Sequence, residues 1–262
     1  MKIGRVEKYI YDTLESKGAM LFMLVDPVDY RNPDEAISTA DKAVKGGADL
    51  ILIGGSIGAQ GGLLDYVSKG IKDKIGDVPL VIFPGNIATI SQYADAIYFM
   101  SLLNARNPYW IIQAQLLSAP LIHQLKIEPM PVGYIVVHPG GTVGWVGDAN
   151  LVPREKPKIA AALATAGEYL GNRFIVTDVG SNPALQHSGP VPPTIIREVK
   201  KSISVPYIVG GGINNVDSLR TAYRAGADIV QIGTAIEKSG DALKRTKLFS
   251  KIVAEEGRKK IS

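Results

Sequence analysis

The sequence predicts an α/β protein: a single (β/α)8 TIM barrel spanning residues 1–262 as one domain. Three observations predict it. Eight short apolar runs recur at fairly even spacing, each nearly continuous in Val, Ile, Leu or aromatic residues. That is the pattern of a parallel strand buried on both faces. Segments with helical spacing separate most of the runs, and eight such alternations fit a closed barrel of this length. An open doubly wound sheet is the competing arrangement, and it usually has fewer strands.

The elements follow in order. Strands are predicted over 19–25, 49–53, 79–83, 96–100, 131–137, 173–178, 206–209 and 228–232. Helices are predicted over 34–46, 63–75, 109–125, 158–170, 193–202 and 216–225. An internal echo marks the strand entries. Gly47-Ala48-Asp49 and Gly226-Ala227-Asp228 each precede an apolar run, and Ala94-Asp95 precedes another. Two Gly/Pro-rich stretches, 139–157 and 181–193, interrupt the alternation, and long loops inside a compact domain are usually functional or mobile. The basic end around Arg258, Lys259 and Lys260 reads as a solvated helix terminus.

Composition excludes several chemistries. Cysteine is absent, so disulfides, thiolate nucleophiles, cysteine zinc sites and iron–sulfur clusters are ruled out. Twenty-nine basic against 25 acidic residues give a net charge of +4, too mild for a broad nucleic-acid surface. No apolar run approaches the ~20 residues of a membrane span, and the first residues have no signal-peptide pattern. The expectation is a soluble, cytoplasmic protein with no transmembrane segment.

In this fold the chemistry gathers where the strands end. Val209-Gly-Gly-Gly-Ile and Gln231-Ile-Gly-Thr end the seventh and eighth strands. Gly-rich turns leading into helices expose backbone N–H groups to an anion, and this pair of loops is the usual phosphate site of the barrel. Gly211, Gly212, Gly233 and Thr234 are therefore candidate phosphate ligands. Asp26 and Asp178 are the acids at strand ends. Asp26 and Ser56, on neighbouring strand ends with no histidine nearby, suit Mg2+, which takes one or two protein oxygens and completes its shell with water and phosphate. His123, His138 and His187 form no ligand motif, although His138 lies at a strand end within reach of a substrate. Tyr98, Phe99, Met100, Leu102, Leu103, Tyr109 and Trp110 are candidates to line an apolar trench. Trp145 reads as a subunit-contact anchor, with a lid residue as the alternative.

The strand ends resemble the geranylgeranylglyceryl phosphate synthases, barrel prenyltransferases of archaeal ether-lipid synthesis. The pieces are Leu24-Val-Asp-Pro, Ile53-Gly-Gly-Ser, Val81-Ile-Phe-Pro-Gly-Asn, Tyr98-Phe-Met-Ser-Leu-Leu-Asn, the segment from Gly133 through Trp145 to Gly147, Val209-Gly-Gly-Gly-Ile and Ile232-Gly-Thr. The resemblance implies an enzyme that joins geranylgeranyl diphosphate to sn-glycerol-1-phosphate through an ether bond and releases diphosphate. It puts Mg2+ on Asp26 and Ser56. It puts glycerol-1-phosphate on Asp178, Gly180, Ser181, Gly211, Gly212, Gly233 and Thr234, with Asp178 as the catalytic acid/base. It also implies a homo-oligomer, a dimer or larger.

The chain departs from the family pattern after its sixth strand, where Tyr-Leu-Glu-Ala-Gly-Ser-Gly is usual. Val176 stands for the Tyr, Asp178 for the Glu and Asn182 for the last Gly. Asp29 stands where a basic residue often follows the first Asp-Pro. These departures keep three alternatives open: another phosphate-binding barrel enzyme such as an isomerase of sugar-phosphate or amino-acid metabolism, a low-activity member using another prenyl length, and a binding protein without activity.

Overall fold

The computed structural model describes residues 3–261. Eight parallel strands close into a barrel in sequence order. They are β1 (Met20–Val25), β2 (Leu50–Gly54), β3 (Leu80–Phe83), β4 (Ala96–Leu102), β5 (Glu128–Val136), β6 (Phe174–Asp178), β7 (Tyr207–Gly210) and β8 (Ile229–Ile232). Around them run α1 (Arg5–Lys17), α2 (Pro33–Lys45), α3 (Gly61–Ile75), α4 (Gln113–Leu125), α5 (Gly141–Val146), α6 (Pro157–Tyr169), α7 (Pro193–Ser202), α8 (Val216–Ala225), α9 (Thr234–Glu237) and α10 (Ala242–Ile261). Every predicted strand is present within a few residues of its expected ends. Helices α1, α5 and α9 were not anticipated. Their sequences are short or glycine-rich, or lie before the first apolar run. The β3–β4 connection has turns and no helix.

Period-two alternation divides the core into two shells. Phe22, Leu52, Tyr98, Met130, Tyr134 and Val176 fill the barrel interior. Leu21, Met23, Ile51, Ile53, Ile135 and Ile175 point outward against the helices. Because both faces are buried, each strand reads as one apolar run. Helix α1 lies against the interior shell through Val6 and Ile10. Its first amides, those of Val6 and Glu7, donate to the Glu128 carboxylate at 2.8 Å each, and Glu7 is paired with Arg173.

The repeated strand-entry aspartates have a shared task on the face where strands begin. Asp49 accepts the Leu21 N–H at 2.9 Å, Asp95 the Leu80 N–H at 2.8 Å and Asp228 the Tyr207 N–H at 2.9 Å. Each thus ties its strand to the preceding one. Each also pairs with a lysine: Lys17, Lys72 and Lys200 respectively. The echo is a stitching device at the end of the barrel away from the strand-end loops. Among the described residues no helix is long and apolar enough to cross a membrane.

Candidate active site

The strand ends surround one cavity of about 1080 Å³. Asp26, Ser56, Asp178, Gly180, Ser181, Gly211, Gly212, Gly233 and Thr234 all line it. Residues chosen from five strand ends far apart in sequence are therefore brought to one space.

Asp26 ends β1, and its Oδ1 accepts the Val28 N–H at 3.2 Å as the chain turns. Its other oxygen faces Gly55, and any side chain at Gly55 would collide with the carboxylate. This glycine is required for close approach. Burial pushes Asp26 up to about 6, the Val28 amide opposing the shift. Among the described residues Asp26 forms no ion pair with a lysine or arginine.

Glu237, unrecognised in the sequence, stands beside Asp26. Its Oε1 accepts the Asp26 N–H at 3.2 Å and the Tyr30 hydroxyl at 3.1 Å. Burial pushes it up to about 7. Its signal was available: an acid four residues after Gly233, on the short helix that opens at the eighth strand end.

Asp178 is fully enclosed. Oδ1 accepts the Gly180 N–H at 2.6 Å and Oδ2 accepts Gln231 Nε2 at 3.1 Å. The Tyr134 hydroxyl donates to the same carboxylate. Burial raises its affinity for a proton, and these donors oppose the rise. Val176 carries no hydroxyl where the resembling family has Tyr, but Tyr134 lies beside it in register on β5 and supplies one. Gly211 is left-handed (φ +80°), and a Cβ there would stand 2.6 Å from Asp178 Oδ1. The turn after β7 thus presses bare main chain against the carboxylate.

Two buried polar atoms of interior residues that line the cavity have no partner among the described residues. They are the Tyr98 hydroxyl and Gln231 Oε1.

Beyond Asp26 the cavity continues as an apolar trench. Phe83, Ile87, Ile90, Ile97, Phe99 and Trp110 are among the apolar residues that line it. Ala114, Ser118 and Ile122, spaced four apart on α4, line it as well. Tyr98, Met100 and Leu102 line the cavity as anticipated, whereas Leu103 and Tyr109 do not. Leu103 turns outward against Gly133 and Gly167, and Tyr109 sets its ring edge-on to Trp110 at 4.9 Å. His138, expected within reach of a substrate, is exposed and is not among the residues that line the cavity.

The loop after β6 is strapped down by Arg154, another residue the sequence did not single out. Its guanidinium donates to the carbonyls of His138 (3.2 Å), Gly189 (3.1 Å) and Pro190 (2.7 Å). Trp145 is 86% exposed and sits beside Ile57 and Leu185.

The sequence matches the family model described as the PcrB family over residues 11–251. It is 50% identical over 247 residues to the geranylgeranylglyceryl phosphate synthase of Pyrococcus abyssi, covering 94% of this chain and 96% of that one. It is 49% identical over 244 residues to the synthase of the same name from Thermococcus kodakarensis, covering 93% and 94%. Among solved structures, the fold is similar to (S)-3-O-geranylgeranylglyceryl phosphate synthase from Thermoplasma acidophilum in complex with sn-glycerol-1-phosphate. The TM-score is 0.89 at 33% identity, over 97% of this chain and all of that one. A thiamine phosphate pyrophosphorylase from Pyrococcus furiosus shares the fold alone, with a TM-score of 0.61 at 16% identity.

Proposed function

Because the chain belongs to the PcrB family, we propose that it is a prenyltransferase that joins geranylgeranyl diphosphate to sn-glycerol-1-phosphate through an ether bond and releases diphosphate. One observation carries this reading. A single cavity is lined together by glycine turns, a buried carboxylate and a set of apolar side chains. An anionic diol and a long apolar diphosphate need those three surroundings side by side.

The acceptor's phosphate is assigned to Gly180, Ser181, Gly211, Gly212, Gly233 and Thr234, and its far hydroxyl to Asp178. Holding both ends of the acceptor orients that hydroxyl toward the allylic carbon of the donor. The hydroxyl oxygen forms the new C–O bond as the bond to diphosphate breaks, and Asp178 takes the hydroxyl proton. Burial strengthens Asp178 as a base relative to an exposed aspartate, while Gly180, Gln231 and Tyr134 fix its orientation. The prenyl tail is assigned to the trench between Phe99, Trp110 and α4.

Asp26 and Ser56 would hold Mg2+. Their donor set fits a hard cation: oxygen atoms only, and a buried carboxylate with no cationic partner among the described residues. When bound, Mg2+ neutralises the negative charge of the departing diphosphate. Glu237 keeps Asp26 in place through the backbone N–H.

The proposal includes a cytoplasmic location and a homo-oligomer of two or more copies. Support for the oligomer comes from the outer face of α4 and the residue before it, where Ile112, Leu116, Leu117 and Leu121 are exposed. Trp145 is a second exposed apolar anchor on another face.

The deciding experiment incubates the protein with glycerol-1-phosphate, geranylgeranyl diphosphate and Mg2+. Diphosphate release together with an ether lipid is expected. Absence of both, with each substrate still bound, would show a binding protein. Absence of product and of binding would return the chain to another phosphate-dependent barrel chemistry.

A further inference from the structure

Gln231 has two ends with different fates. It sits on β8, only 4% exposed, and its side chain reaches the cavity. Its Nε2 donates to Asp178 Oδ2 at 3.1 Å. Its Oε1 is buried and accepts from no donor among the described residues. A buried acceptor left unpaired is costly, so such atoms are normally satisfied by protein, water or ligand. Orientation by Asp178 determines which end is free. The carboxylate only accepts, so it fixes the amide N–H toward itself and leaves the carbonyl oxygen for something else. Whatever meets that oxygen must be a donor adjoining the atoms that hold Asp178.

Glycerol phosphate carries two hydroxyls, and only one becomes an ether. The second must also be taken out of water when the acceptor enters. We propose that Gln231 is the residue that recognises this spectator hydroxyl, accepting its hydrogen bond at Oε1, and that the site thereby selects a diol phosphate over acceptors lacking a hydroxyl at that carbon. The inference rests on the reading of the cavity as a glycerol-phosphate site and adds a residue that decides acceptor specificity. A ketone at the same carbon would bring one acceptor against another and be rejected as well. Discrimination of this kind is strong because the wrong ligand leaves a buried polar atom unpaired.

The test compares sn-glycerol-1-phosphate with 3-hydroxypropyl phosphate, which keeps the reacting hydroxyl and lacks the other. Binding is measured by calorimetry without donor, and transfer is measured as kcat/KM with it. The wild-type protein is expected to favour the diol by about tenfold in both. Gln231→Met, similar in length but without amide atoms, is expected to bring the ratio below about threefold while leaving the KM of the donor unchanged. Equal binding of the two acceptors by the wild type overturns the inference without any variant. So does an undiminished preference in Gln231→Met. If wild type binds the diol tenfold tighter yet makes no ether, the transferase reading fails and the assignment of Gln231 stands.

Discussion

Glu237 closes the barrel mouth onto Asp26: its Oε1 accepts the Asp26 backbone N–H at 3.2 Å and, at 3.1 Å, the hydroxyl of Tyr30. The turn after the last strand is thereby fastened to the turn after the first. Two acids share one partly dry corner, and the charge of Asp26 adds to the rise in the affinity of Glu237 for a proton. A divalent cation would relieve that repulsion, so the corner links stability, pH and metal.

The sign of the linkage follows from the shifts. Asp26 is held at about 6 and Glu237 at about 7, above the 3.8 and 4.5 of free carboxyls. Between those limits the folded chain binds more protons than the unfolded one. The contribution to stability is therefore fully present below the unfolded values and is lost as pH rises through the folded ones. In metal-free buffer, Tm is expected to decline from about pH 4 to pH 7 more steeply in wild type than in Asp26→Asn. Mg2+ added at pH 7 is expected to raise the wild-type Tm by mass action and to have little effect on the variant. Parallel slopes for the two proteins would remove Asp26 from this role.

Asp178→Asn preserves shape and most of the hydrogen-bonding surface but cannot take a proton. Turnover is expected to fall about 100-fold or more. The dissociation constant for glycerol-1-phosphate is expected to stay within about threefold, because the phosphate is proposed to rest on the glycine turns and not on this carboxylate. Equal turnover in the variant would take Asp178 out of the mechanism.

The barrel was legible because parallel strands buried on both faces spell themselves out as unbroken apolar runs, as 49–53 and 228–232 do. The glycine turns and the strand-end acids were legible because this fold fixes where chemistry sits. Glu237, Gln231 and Arg154 were not. Glu237 lies on a four-residue helix too short to show a period. Gln231 sits within an apolar run, where one polar residue reads as a tolerated exception. Arg154 acts through backbone carbonyls of 138, 189 and 190, which have no sequence signature. Leu103 and Tyr109 were misplaced because adjacent residues of a strand or turn face opposite ways, and the orientation beyond β4 depends on the turn at Pro108–Trp110.

Gly211→Ala tests the phosphate turn. Its backbone is left-handed, and a Cβ would press on Asp178 and on the Gly180 carbonyl at 2.8 Å. A non-glycine residue there costs about 1 kcal/mol or more in strain alone. Affinity for glycerol-1-phosphate is expected to drop at least about tenfold, with a modest fall in Tm. Gly62→Ala, with open space around its Cβ, is the control and should change neither. Unaltered affinity in Gly211→Ala would move the phosphate elsewhere.

The trench can be shortened from α4. Ser118 is small and faces the cavity one helical turn beyond Ala114. Ser118→Phe fills the space that the distal part of a long tail would use. Transfer from geranylgeranyl diphosphate is expected to fall at least about tenfold, and transfer from a shorter farnesyl donor to fall much less. A uniform loss with both donors would mean that the tail does not run along this helix.

The outer face of the same helix predicts the assembly. Leu116 and Leu117 are more than half exposed, with Ile112 and Leu121 beside them, forming a contiguous apolar stripe that no other part of the described chain covers. Gln115, between them in sequence, turns inward and donates to the Met100 carbonyl. The helix is thus anchored to β4 on one side and bare on the other. A second copy of the same stripe would bury these leucines, and a twofold arrangement does so with one patch on each subunit. Light scattering is therefore expected to give at least twice the 28.0 kDa of one chain. The double variant Leu116→Glu with Leu117→Glu is expected to reduce it by at least half while the barrel stays folded, since neither side chain enters the core. A wild-type mass of one chain, or a double variant that stays assembled, would place the stripe outside any subunit contact.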